Sequence, residues 1–68
     1  MNKFSLVSIV IVNYNGKAFL NDCFQSLENL DYPADKTEII LVDNGSTDDS
    51  ILFTKKNYPK IKILSNPI

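Results

Sequence analysis

Several residue types that build common functional sites are scarce in this sequence. Its 68 residues include no histidine and no tryptophan, and Cys23 is the single cysteine. One cysteine cannot form an internal disulfide, and the lack of histidine removes the commonest general base and metal ligand. Cys23 lies on the apolar face of a predicted helix, so we interpret it as a small packing residue and not as a nucleophile. These absences exclude a disulfide scaffold and a zinc site built on a Cys/His cluster.

Charge and hydrophobicity narrow the class further. The net charge is −1, with 44% hydrophobic and 22% charged residues, which is typical of a packed protein. There is no basic cluster for nucleic acid and no polybasic membrane signal. The apolar run at residues 6–12 is too short to span a membrane, and no cleavage motif of small residues follows it. We therefore expect a cytoplasmic protein; the alternative is that the complete protein is peripheral at the inner face of the membrane.

Two segments have the pattern of strands covered on both faces. In residues 7–12 and 38–42 both alternating sets of side chains are apolar, as in a parallel sheet. Between them, apolar residues recur at helical spacing, which predicts an amphipathic helix over residues 17–29.

A second helix is predicted after the second strand. Ser46 or Thr47 is expected as its N-cap, with Asp48 and Asp49 in the first turn, where carboxylates favour the helix dipole. The helical pattern stops at "NYPK", and a third strand is predicted at residues 61–64. The order strand-helix-strand-helix-strand predicts an α/β fold with a parallel sheet.

The handedness of the two strand-helix-strand crossovers predicts which face of the sheet the helices cover. Parallel crossovers are right-handed in nearly all proteins, so both helices should cover the same face of the sheet. The other face, which is also apolar, and one edge of the first strand are then expected to be bare. We therefore expect residues 1–68 to be the N-terminal part of a larger domain, or to self-associate through the uncovered sheet.

Two polar runs follow the first two strands, at the sheet edge where open α/β proteins bind ligands. They contain an aromatic ring, amides and a carboxylate: Asn13, Tyr14 and Asn15 in the first, and Asp43, Asn44 and Ser46 in the second. Tyr14 can stack on a planar ring, Asn44 can donate and accept across a base edge, and ionised Asp43 can only accept. The alternative is that these residues are only caps and turns, and the residues alone leave both interpretations open. Neither a G-x-G-x-x-G nor a P-loop motif is present, so we expect no glycine cradle for phosphates.

The ordered pair "VSIVIVNYNG" and, about thirty residues later, "IILVDNGSTDDS" resembles the start of the family 2 glycosyltransferases. The resemblance covers residues 7–64 and implies the first half of a GT-A, Rossmann-like nucleotide-binding domain. It also implies a nucleotide-binding role for eight residues of the two motifs, which are Val12, Asn13, Tyr14, Asn15, Asp43, Asn44, Gly45 and Ser46. Family members commonly have a second Asp where this chain has Asn44, and the Asn-type members resemble a branch of rhamnosyl- and galactofuranosyl-type transferases.

The resemblance also implies a reaction for the complete protein. This would be inverting transfer of a sugar from a UDP- or dTDP-sugar to a hydroxyl on a glycan or lipid-linked acceptor. A divalent cation, Mg²⁺ or Mn²⁺, is expected on the diphosphate in the complete enzyme. The family's metal motif and catalytic base lie beyond residue 68, so we expect no metal ligand and no catalytic residue here. Asp48 and Asp49 are interpreted as helix-capping residues.

Two other functions are compatible with parts of the sequence. A stand-alone α/β module could bind a nucleotide or a partner chain without catalysis, completing its sheet by dimerisation. A receiver-like domain would use Asp43 as an acceptor carboxylate. That third interpretation lacks the expected acidic cluster at the first strand, where the chain has "NYN".

Overall fold

The computed structural model describes residues 5–66 and has the element order expected from the sequence. In chain order its elements are β1 (Val7–Asn13), α1 (Lys17–Glu28), a short 3₁₀ turn (Ala34–Lys36), β2 (Thr37–Asp43), α2 (Ser50–Asn57) and β3 (Lys62–Ser65). The strands are parallel and lie side by side in the order β1-β2-β3. The predicted α/β fold is confirmed, and every strand end lies within one residue of its predicted position.

The start of α2 differs from the prediction. The helix begins at Ser50, so Ser46 and Thr47 are not its caps, and its first turn contains no acidic residue. The physical reason is that Ser46 and Thr47 are bonded to the neighbouring loop, which holds this segment outside the helix. Asp48 does serve the helix start, because its Oδ1 accepts the backbone N–H of Ser50 at 2.9 Å.

The core lies between the sheet and the two helices. Leu20 and Phe24 from α1 pack on Leu41 of β2, and all three are buried. Partly buried apolar side chains surround them, namely Ile11, Phe53, Tyr58, Ile61 and Ile63. Contributions from α1 and α2 to one cluster place both helices on the same face of the sheet, as right-handed crossovers require.

Tyr58 links the end of α2 to α1. Its ring meets the edge of Phe24 with centroids 4.9 Å apart and planes inclined at 61°. Its hydroxyl donates to Oδ1 of Asn21 at 2.7 Å. Cys23, on the same helix, is half-buried with a free thiol.

The opposite face of the sheet is uncovered by residues 5–66. Val10, Val12 and Leu64 are 58%, 66% and 52% exposed, although they are apolar and lie in the sheet. This face is polar near the amino ends of β1 and β2. There the Glu38 carboxylate accepts from the Ser8 hydroxyl and forms an ion pair with Lys62. In the described part of the chain the sheet ends at β1 on one side, so one edge of this strand is also bare.

Substitutions on the two faces of the sheet should differ sharply in cost. Leu41→Ala should lower the free energy of unfolding by about 2–5 kcal/mol, because it empties a fully buried site. Val12→Ala, on the uncovered face, should cost less than about 0.5 kcal/mol. Urea denaturation followed by circular dichroism measures both values. Equal costs would show that something covers the second face in solution.

Candidate functional site

Two loops meet at the carboxyl ends of β1 and β2. The first loop is residues 14–16, between β1 and α1; the second loop is residues 44–49, between β2 and α2. Asn13 and Asp43 are register partners, and the backbone N–H of Asn44 donates to the carbonyl oxygen of Asn13 at 2.9 Å. The parallel ladder therefore continues one residue past the strands and brings the two loops together.

The end of each strand carries a buried polar side chain. Asn13 is 5% exposed and Asp43 is fully buried. Nδ2 of Asn13 donates to Oδ1 of Asp43 at 2.8 Å. The same Oδ1 accepts the Ser46 hydroxyl at 2.7 Å, and Oδ2 accepts the Ser46 backbone N–H at 2.9 Å. The buried carboxylate thus holds the end of β1 and the turn of the second loop at once.

These contacts also set the ionisation of Asp43. Burial alone would raise the pKa of its carboxyl group. Hydrogen bonds from the Asn13 side chain, the Ser46 hydroxyl and the Ser46 amide outweigh burial, so the pKa lies below its usual value of 3.8. Asp43 is therefore an ionised, acceptor-only group at neutral pH.

Ser46 and Asn15 fasten the two loops to each other. The Ser46 hydroxyl oxygen accepts the Asn15 backbone N–H at 2.8 Å. In return, Oδ1 of Asn15 accepts the backbone N–H groups of Thr47 at 2.7 Å and Asp48 at 3.1 Å. Each loop thus supplies the acceptor for donors of the other.

Local backbone geometry explains why these residue types are present. Asn15 has φ of 51° and Gly45 has φ of 75°, and this left-handed region is one that Asn and Gly enter most readily. At Gly16 the constraint is space, because a Cβ there would lie 2.5 Å from Oδ1 of Asn13. That oxygen accepts the Gly16 backbone N–H at 3.1 Å, so a larger residue would break the bond.

Asp48 occupies the amino ends of both helices. Its Oδ2 accepts the backbone N–H of Lys17, the first residue of α1, at 3.2 Å. Its Oδ1 accepts the Ser50 backbone N–H and the Ser50 hydroxyl. The pKa of Asp48 is lowered, chiefly by the bond from the Ser50 hydroxyl. Of the two predicted capping residues, Asp48 bonds the start of α2, whereas Asp49 occupies the N-cap position without a side-chain capping bond. The Asp48 carboxylate also joins α1, which the sequence did not indicate.

The eight residues named from the sequence divide into two groups. Asn13, Asn15, Asp43 and Ser46 bond the loops together, and Gly45 makes the turn. Tyr14 is 65% exposed, Val12 lies on the uncovered face, and Asn44 is half-buried at the edge. The surface that a ligand could touch is therefore formed by Val12, Tyr14 and Asn44.

Asn66 is a further residue at this edge that the sequence interpretation omitted. Its Nδ2 donates to Oδ1 of Asn44 at 3.3 Å. The signal for it was its position directly after the third strand, at the same end of the sheet as the other two polar runs.

No metal-binding cluster is found in the part of the chain that the structure describes. Residues 5–66 contain no group of three or more His, Cys, Asp or Glu residues placed to hold an ion. The oxygens of Asp43 are already taken by Asn13 and Ser46. The same residues include no helix long and apolar enough to cross a membrane.

Comparison with known proteins identifies the family. Residues 8–68 match the sequence model of Glycosyl transferase family 2, so the chain belongs to this family. The chain is 33% identical over 67 residues to a Methanococcus voltae dolichyl N-acetyl-alpha-D-glucosaminyl phosphate 3-beta-D-2,3-diacetamido-2,3-dideoxy-beta-D-glucuronosyltransferase, covering 91% of this chain and 21% of that protein. It is 35% identical over 65 residues to the poly(ribitol-phosphate) beta-glucosyltransferase of Bacillus spizizenii, covering 91% of this chain and 10% of that one.

A solved structure has the same fold. The mannosyltransferase PcManGT from Pyrobaculum calidifontis, in complex with GDP-Man and Mn²⁺, superposes with a TM-score of 0.73 at 22% identity. The match covers 96% of this chain and 20% of that one. The fold is therefore the first half of a GT-A, Rossmann-like domain, as the sequence indicated. The chain spans about a fifth of this structure, about a fifth of the Methanococcus voltae protein and about a tenth of the Bacillus spizizenii protein.

Removing the charge of Asp43 should loosen both loops. In Asp43→Asn an amide NH₂ must face one of the donors that the carboxylate now accepts. We expect a loss of about 1–3 kcal/mol in the free energy of unfolding, since a buried donor is left unpaired. Asp49→Asn is the control, because Asp49 makes only a 3.9 Å exposed ion pair with Lys17. Similar losses in both variants, measured in urea, would contradict the role of Asp43.

Acid should destabilise the chain partly through the same carboxylate. The pKa of Asp43 is lower in the folded state than its usual value of 3.8, so the unfolded chain takes up the proton first as pH falls. The stability that ionised Asp43 contributes is therefore present above pH 3.8 and is lost as the pH falls through the pKa that Asp43 has in the folded state. Urea denaturation between about pH 2 and about pH 6 should show a shallower acid slope in Asp43→Asn than in the unchanged chain. An identical slope would show that Asp43 does not carry this linkage.

Proposed function

We propose that this chain is the nucleotide-binding part of an inverting glycosyltransferase. The complete protein would transfer a sugar from a UDP- or dTDP-sugar to a hydroxyl on a glycan or lipid-linked acceptor. The observation that carries the proposal is that an exposed tyrosine, Tyr14, and a half-buried amide, Asn44, lie on two adjacent loops that hydrogen bonds fasten together. Membership of the family supports the type of reaction.

The ligand-facing side chains suit a pyrimidine base. Tyr14 supplies an aromatic face for stacking, and Val12 adds apolar contact beside it. The carboxamide of Asn44 can accept from the N3–H of uracil or thymine and donate to its O4. Asp43 would not contact the base, because it is fully buried; its role would be to hold the second loop in place.

The five remaining motif residues would shape the site. Preformed loops lower the conformational entropy that binding must remove. The bonds of Asn13, Asn15 and Ser46, with the turn at Gly45, fix Tyr14 and Asn44 before a ligand arrives. The Asn at position 44 favours rhamnosyl- or galactofuranosyl-type donors as the finer version of the proposal.

The described residues do not fit a divalent cation, and we assign none of them a metal-binding or catalytic role. The solved relative contains Mn²⁺ with GDP-Man, which supports a cation and a nucleotide sugar in the complete protein. A carboxylate outside residues 1–68 would act as the general base. Synthesis of a polysaccharide or cell-envelope glycan, in the cytoplasm or at the inner membrane face, completes the proposal.

A second candidate function rests on the bare sheet. The exposed Val10, Val12 and Leu64, together with the open edge of β1, would suit a module that binds a partner or a second copy of itself. A folded chain that ignores nucleotides would favour this function over the first.

Nucleotide titration followed by amide NMR tests the first proposal. UDP and dTDP should shift signals of Tyr14 and Asn44, whereas ADP should not. Tyr14→Ala should weaken UDP binding by about 2- to 10-fold, because the stacking face is lost. Leu52→Ala is the matched control, since Leu52 on α2 is also 65% exposed. Equal responses to UDP and ADP, or full affinity in Tyr14→Ala, would refute a pyrimidine site at this position.

A further inference from the structure

A third residue lies in line with Tyr14 and Asn44. The strand-end residues Asn13, Asp43 and Ser65 are register partners across the sheet. The backbone N–H of Asn66 donates to the carbonyl oxygen of Asp43 at 2.7 Å, just as Asn44 donates to that of Asn13. Asn66 therefore stands beside Asn44, one residue past the end of β3.

A side-chain bond between these two residues pairs one polar atom of each amide. Nδ2 of Asn66 donates to Oδ1 of Asn44 at 3.3 Å. The bond uses Oδ1 of Asn44 and Nδ2 of Asn66, so the second polar atom of each amide is a donor on Asn44 and an acceptor on Asn66. The two carboxamides together offer one donor and one acceptor side by side. Without Asn66, the Asn44 amide could turn over and present its oxygen equally well.

An apolar surface lies directly below this pair. Val12, Val42 and Leu64 are register partners in the preceding row of the sheet. Val12 and Leu64 are more than half exposed. A planar ring that reaches the two carboxamides can therefore also cover apolar side chains.

We propose that Asn66 is a specificity-determining residue of the site, which orients Asn44 and itself contacts the edge of the base. The inference rests on the proposed function, since it concerns the same nucleotide. In this arrangement Nδ2 of Asn44 donates to O4 of uracil, and Oδ1 of Asn66 takes over from Oδ1 of Asn44 as the acceptor for N3–H. Cytosine, which has an amino group and a bare ring nitrogen at these positions, should bind less well.

Two substitutions of Asn66 separate specificity from stability. Asn66→Ala frees the Asn44 amide but leaves the backbone bond to Asp43 in place. Asn66→Asp introduces a carboxylate that can only accept, so Asn44 should turn its Nδ2 inward and its Oδ1 toward the ligand. Asn29→Ala is the control. Asn29 is also an exposed Asn, but it lies at the C-cap of α1, at the end of the helix that is far from the two loops.

The affinities of the 68-residue chain and its variants for UDP and CDP are measured by NMR titration. Asn66→Ala should weaken UDP binding by roughly 3- to 10-fold and reduce the preference for UDP over CDP. Asn66→Asp should also reduce the preference for UDP, because Oδ1 of the turned Asn44 then faces O4 of uracil, and Asn29→Ala should change neither affinity. A purely structural role would lower both affinities equally and leave their ratio unchanged.

The outcomes distinguish the two proposals. If the unchanged chain prefers UDP and Asn66→Ala keeps that preference, the role of Asn66 is refuted and the proposed function stands. If the unchanged chain binds neither nucleotide, both proposals fail. The inference is supported if Asn66→Ala loses the preference for UDP over CDP while its free energy of unfolding in urea equals that of the unchanged chain.

Discussion

The buried carboxylate of Asp43 is the interaction on which the rest of the site depends. It accepts from a side chain at the end of β1 and from both the hydroxyl and the backbone N–H of Ser46 in the second loop. A buried charge without such partners would be strongly unfavourable, so the partners and the charge require each other. Because the group is fully enclosed, its bonds do not compete with bulk water. The two loops are therefore held as one unit.

Side chains alternate between the two faces along a strand. At the ends of β1 and β2 this alternation places the residues that hold the loops inside and the residues that can contact a ligand at the surface. Asn13 and Asp43 point inward, toward the helices, and each is buried. The next residue in each chain, Tyr14 or Asn44, is available at the surface. One residue of displacement along the chain thus separates a group that fixes a loop from a group that can contact a base. Such a division would let the outer residue be substituted, as in Asn44→Asp, without disturbing the inner bonds.

The sequence allowed the element order, the parallel sheet and the two loops to be predicted, because strand-ending polar runs and helical spacing are local patterns. It could not show which side chains of those loops point inward. In β2 both alternating sets are apolar, so the pattern does not reveal that Leu41 and Asp43 face the helices while Val42 and Asn44 do not. The start of α2 was predicted too early because Ser46 and Thr47 bond to Asn15 more than thirty residues away. Asn66 was missed for the same reason, since its contact with Asn44 depends on the register of β2 and β3.

The charges at this edge constrain where the rest of a nucleotide sugar can lie. Helix amino ends usually attract phosphate, but here the Asp48 carboxylate accepts from the first backbone N–H of both helices. Asp49 adds a second exposed negative charge beside it, which Lys17 offsets only through a 3.9 Å contact. A diphosphate would be repelled from these helix ends, so a base bound at Tyr14 and Asn44 should direct its phosphates away from them. In the proposed function, groups that neutralise and orient the diphosphate would then come from outside the described residues, which leave the second face of the sheet and the β1 edge uncovered.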